Sequence, residues 1–126
     1  MLSREQILGT MSSLKRKEIN VPNWNGVVLI REFTGAERDS VESIMLRANK
    51  TNDFSGVRAH VVCLAVIDEN GNPVFDLKKD MNIVSNLSAQ ALEIIFKEAC
   101  ILSGMTPEEG AEKNALSRLT DLPGLD

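Results

Sequence analysis

The chain has 126 residues, 43% of them apolar and 25% charged, the profile of one globular domain rather than a disordered segment. Folding buries roughly 65–70% of the surface that an unfolded chain of this size exposes, enough for one core without disulfide or metal staples. Fourteen Lys and Arg against 18 Asp and Glu give a net charge of −4, which argues against a nucleic-acid binder with a basic face.

Taken in chain order, residues 1–16 carry weak helical periodicity in Leu2, Ile7, Leu8, Met11 and Leu14, interrupted by Gly9. They read as a short, frayed amphipathic segment. Lys17-Glu18-Ile19-Asn20-Val21 then alternates polar and apolar residues with the period of a half-buried strand. Pro22-Asn23-Trp24-Asn25-Gly26 is a turn cluster, and Val27 to Arg31 is β-branched and strand-like. Strand, Gly-containing loop and strand predict a β-hairpin, which needs a packing partner because an isolated hairpin is marginal in water.

Thr34-Gly35-Ala36-Glu37 has the form of a capping box. The helix it opens carries Val41, Ile44, Met45 and Ala48 on one stripe, and Asn49 to Gly56 reads as a loop. Val57 to Ile67 is so apolar that it fits either a helix or a buried strand, with helix preferred. Asp68-Glu69-Asn70-Gly71-Asn72-Pro73 is the strongest turn signal in the chain. It does not make a calcium loop, because its glycine and its acidic residues are out of register. Val74 and Phe75 are expected to enter the core, followed by a short helical or turn element at Asp76 to Asp80.

Ser88 is a suitable N-cap for a helix running to about Ser103, with Gly104 as its stop. Leu92, Ile95, Phe96, Ala99 and Leu102 form its core stripe, while Ala91, Ile94 and Ile101 lie off that stripe. Such a helix is either deeply buried or serves two interfaces, and deep burial on all sides is difficult in a domain this small. Ile94 and Ile101 are therefore candidate partner-binding residues. Trp24 is a third: it either folds back on the helices or anchors a partner, since Trp is enriched at interface hot spots. Thr106-Pro107-Glu108-Glu109 predicts the start of a last helix.

Signals for chemistry are few. Nucleotide-binding glycine loops, a dinucleotide fingerprint and a nucleophile elbow are all missing from the sequence. Cys63 and Cys100 sit among apolar neighbours and read as reduced core side chains. His60, the single histidine, reads as structural. No catalytic, cofactor-binding or metal-binding residue is assigned. No apolar run approaches the roughly 20 residues of a membrane-spanning helix, and Met1 to Gln6 lack the apolar core of a secretory signal. The expectation is a cytosolic protein that is not an enzyme and needs no cofactor.

The ordered landmarks are Val21-Pro22-Asn23-Trp24, Arg31 to Asp39, Val57-Arg58-Ala59, Asp68 to Phe75, Ser88 to Phe96, Gly104 to Glu109 and Lys113-Asn114. In this order and spacing, over residues 17–119, they resemble the tail assembly chaperones of long, flexible-tailed bacteriophages. The resemblance implies a non-enzymatic assembly factor of the host cytoplasm. It would bind the tape measure protein, recruit major tail tube protein subunits, and be absent from the mature virion. In many relatives a programmed frameshift yields a longer form. The pattern departs at Asp76 to Val84, where relatives are more acidic. Self-association into a homo-oligomer would raise avidity for a long, repetitive client; neither nucleic acid nor membrane is an expected partner. The alternative reading is a structural head–tail connector or tail completion protein retained in the virion. The expected fold is α+β and predominantly α-helical. An N-terminal β-hairpin over residues 17–31 packs on a bundle of three to four helices. The whole is a single domain at 1–126, with 120–126 a loose tail.

Overall fold

The hairpin forms where polar–apolar alternation puts it. Strand β1 (Arg16–Val21) pairs antiparallel with β2 (Gly26–Arg31). Between them Pro22–Trp24 makes one 3-10 turn that ends at Asn25, whose φ of 51° lies in the left-handed region, a conformation Asn tolerates better than most residues. Ile19 stands opposite Val28 and Lys17 opposite Ile30. Side chains alternate between faces along a strand, so Ile19, Val21 and Ile30 share one face, and all three are buried. The computed structural model describes residues 1–105. The last helix expected from Thr106 and the tail at 120–126 lie outside the described residues.

A third strand, which the sequence reading did not anticipate, completes the sheet. Val57 begins a helix, α3 (Val57–Ala65), as preferred, but the apolar run changes conformation at its end and Val66–Ile67 becomes β3. This short strand pairs antiparallel with β2 through Leu29 and Ile30. The sheet order is β1-β2-β3. The reversal after β3 rests on Asp68, whose Oδ1 accepts from the N–H groups of Asn70 and Asn72 at 2.9 and 3.0 Å. Gly71 completes it at φ 86°, a conformation that glycine adopts without a Cβ penalty.

Helices cover the inner face. The N-terminal segment is α1 (Arg4–Leu8) followed by a 3-10 turn at Gly9–Ser12. Ser3 and Gln6 form a capping box on α1. The long helix α2 (Gly35–Thr51) starts at the box expected from sequence, with Thr34 accepting from the Glu37 N–H. It buries Val41, Met45 and Ala48, while Ile44 is half-buried. The expected loop from Asn49 begins later: α2 continues to Thr51 and stops at Asn52, which is left-handed at φ 57°. The short helix α4 (Met81–Ser85) follows turns at Asp76–Asp80.

Helix α5 (Ala89–Leu102) packs against α3 on one side and the hairpin on the other. Ser88 caps its start by accepting from the Ala91 N–H, and Gly104 follows its end at φ 79°. Its buried residues are Ala91, Leu92, Ile95, Phe96, Ala99 and Cys100. Ala91 therefore belongs to the core and not to a second apolar face, because it turns toward the same side as Ile95. Val74 departs from expectation in the opposite sense: it is 49% exposed, and Phe75 alone of that pair packs against the core. The reason is a bridge between Ile67 and Pro73, which runs this segment along the sheet rather than beneath it.

Two polar clamps fix the joints. The Arg31 guanidinium meets the Glu37 carboxylate in a two-point contact at 2.7 and 2.8 Å, and Glu37 also accepts from the Thr34 N–H. At the far end of α5, the Ser103 hydroxyl accepts from the Phe33 N–H at 2.9 Å, and its carbonyl accepts from Arg38 at 3.2 Å.

The hydrogen bonds from Arg31, more than those from Thr34, hold the Glu37 carboxyl below its usual range. A carboxylate with a lowered folded-state pKa stabilises the fold fully above its unfolded pKa, and that stability is lost as pH falls through the folded value. Glu37→Gln keeps a side chain able to close the capping box and removes the charge pair. Urea titrations should show a cost of about 1 kcal/mol at neutral pH, shrinking toward zero below the carboxylate range. Phe96 has no exposed surface, so Phe96→Ala should cost about 3–5 kcal/mol in the same assay.

Candidate functional site

The interior offers little for catalysis. Among the described residues none that is polar or charged is fully buried, and no group of three or more His, Cys, Asp or Glu residues is placed to hold a metal ion. His60 on α3 is half-buried, and its Nε2 has no hydrogen-bond partner among the described residues. Burial pushes its pKa down, so the neutral imidazole predominates at pH 7. Among the described residues nothing orients it as a base. Arg58 and Glu93 join α3 to α5 as an ion pair, with the guanidinium carbon 5.9 Å from the Phe96 ring centroid, and this pairing is structural.

Both cysteines are free and buried. Burial, with the Glu93 charge added, pushes the Cys100 thiol up to about 12. Burial also raises Cys63, with smaller contributions from Asp80 and Asp76. A thiol is nucleophilic only as thiolate, so neither cysteine is a reactive centre.

What the fold leaves open is apolar surface. Of the three candidate residues, Ile101 is 56% exposed, whereas Ile94 and Trp24 are half-buried and pack against the core. Ile94 and Ile101 lie seven residues apart, two helical turns on one face. They share that solvent side of α5 with Gln90, Lys97 and Glu98, opposite the buried stripe. The Trp24 turn packs beside the first turns of α5, where Asn23 Nδ2 donates to Gln90 Oε1 at 3.1 Å. Further along the helix, Lys17 of β1 pairs with Glu98 at 2.9 Å. The structure thus places Trp24 near one end of the α5 outer face and Ile101 near the other, with polar pairs along the flank.

A second open surface escaped the sequence reading. The sheet face turned away from the helices carries a depression of about 810 Å³. Trp24, Val27, Leu29, Ile67, Val74 and Phe75 supply its apolar lining, and Glu18, Asp68 and Glu69 add carboxylates. Its lining comes together only because β3 adds to the sheet and Val74 runs beside it. The one sequence signal was alternation in β2, which puts Val27 and Leu29 on the face opposite Ile30.

No helix among the described residues is long and apolar enough to cross a membrane. No protein-family model, curated protein or solved structure matches the chain.

The thiol environments make a direct expectation. Native protein at neutral pH should resist iodoacetamide at both Cys63 and Cys100, and denatured protein should take up two equivalents, as read by intact mass. Rapid native labelling of either residue would contradict the closed packing of α3 and α5.

Proposed function

We propose that this chain is a non-enzymatic tail assembly chaperone of a long-tailed phage. It acts in the host cytoplasm, binds the tape measure protein, recruits tail tube subunits and leaves before the particle is complete. The observation that carries the reading is the outer face of α5, where Ile101 stands open and Ile94 half-open on a helix whose other side anchors the whole core. The ordered motifs over residues 17–119 support the same reading from the sequence. A chaperone for an apolar helical client needs an apolar strip with polar flanks on a rigid support, as in helix-in-groove recognition. The α5 face has that composition: two isoleucines flanked by Gln90, Lys97 and Glu98. The role requires no catalytic group and no cofactor.

Co-expression with the tape measure protein of the same genome, followed by affinity capture, tests the proposal. Wild-type chain should keep the client soluble and co-purify with it. Ile101→Glu should weaken capture by roughly tenfold or more, about 1.4 kcal/mol, while leaving thermal stability unchanged because the side chain is exposed. Ile94→Glu and Trp24→Ala should weaken capture with some loss of stability. A client that stays insoluble and unbound overturns the reading.

A further inference from the structure

The described residues carry two apolar surfaces that they leave exposed, on different parts of the fold. One is the N-terminal arm. No residue of α1 or of the 3-10 turn after it is buried, and Leu2, Ile7, Leu8 and Met11 are between 45% and 74% exposed. Yet the arm is ordered as helix, with a complete capping box. Leu8 and Met11 are three residues apart, which brings them to one edge where the helix tightens to 3-10 geometry at Gly9–Ser12. An ordered helical arm with its apolar edge exposed is arranged for a contact that the described residues do not make.

The other surface is the depression on the outer sheet face, where Val27 and Val74 are 58% and 49% exposed. In this chain the arm does not occupy it. The reason lies in the junction: only Ser13 and Leu14 separate the 3-10 turn from Lys15, and the Lys15 N–H is held by Glu32 Oε1 at 3.2 Å. The arm therefore leaves the sheet with little slack for folding back over it. Charge favours the match between copies. Arg4 and Lys15 flank the arm's apolar edge against a single acidic residue, Glu5. Glu18, Asp68 and Glu69 border the depression, with the Arg16 guanidinium as the nearby cation beside Gly71.

We infer that the depression receives the N-terminal arm of a second copy of this chain. Ile7, Leu8 and Met11 lie against Val27, Leu29 and Val74, and Arg4 approaches the carboxylates. The contact joins two different patches, so it propagates from copy to copy unless the geometry closes it into a ring or a reciprocal pair. This inference goes beyond the chaperone proposal and does not depend on it.

Complementary variants test it by light scattering after size exclusion. Ile7→Glu with Leu8→Glu spoils the arm, and Val27→Glu with Val74→Glu spoils the depression. All four side chains are exposed, so both variants should keep the wild-type far-ultraviolet spectrum and melting temperature. Wild-type chain should self-associate, and each variant alone should be monomeric. An equimolar mixture should recover a 1:1 dimer, because one copy still has an arm and the other still has a depression. A monomeric wild-type chain at every accessible concentration overturns the inference, as does undiminished association of either variant. A mixture that stays monomeric overturns the arm-to-depression pairing, and points to residues 106–126 or another chain as the occupant. Capture of the tape measure client by the monomeric arm variant reads the chaperone proposal separately.

Discussion

The fold depends on the burial of one side of α5 between α3 and the hairpin. Six of its side chains are sealed there, and the largest, Phe96, has no exposed surface. Burial of a large aromatic side chain is among the strongest single contributions available to a domain of this size. Everything else is positioned by it. The hairpin presses Ile19, Val21 and Ile30 into the common core, and α3 brings Val57, Val61 and Val62 from the other side. The polar clamps at Arg31–Glu37 and Ser103–Phe33 tie the end of β2 to the start of α2 and to the C-terminal end of α5.

One consequence is a division between rigid and available surface. A helix that spends half its circumference on the core presents the other half at a fixed place and angle. Ile94 and Ile101 therefore stand on a helix anchored by its buried side, and such preorganisation lowers the ordering cost of binding. The sheet behaves in the same way: its inner face is committed to α5, so Val27 and Leu29 project from the outer face. Self-association through the arm would line up many copies of the α5 face. Repeated weak sites on one assembly hold a long client far better than a single site, and the two proposals therefore reinforce each other, with Trp24 common to the α5 end and the lining of the depression.

Much of the fold was legible in the sequence because its signals are local. Thr34 and Glu37 form the capping box their spacing predicts, Ser88 caps α5, and the hairpin falls where alternation and the Pro22–Gly26 cluster put it. The failures were equally physical. Val66–Ile67 is too short to show a period, and its apolar residues suit a helix end as well as an edge strand, so only pairing with Leu29 and Ile30 decides it. Asn49 to Thr51 look like loop residues by propensity, yet helical order persists because Ala48 is anchored in the core. For the surfaces, periodicity isolated Ile94 and Ile101 but could not say how open each was. The sheet depression was invisible, because its lining comes from segments as distant as Glu18 and Val74.

The proposed chaperone role and its structural alternative differ most sharply in the fate of the protein after assembly. An assembly factor binds through surfaces that the finished tail must release, whereas a connector or completion protein stays in place. On the proposed role the chain's genome is that of a long-tailed phage, and quantitative mass spectrometry of purified, mature particles produced from that genome measures the difference. The account predicts abundant tape measure and tail tube peptides with this chain absent. Recovery of the chain in stoichiometric amount from washed particles would contradict it.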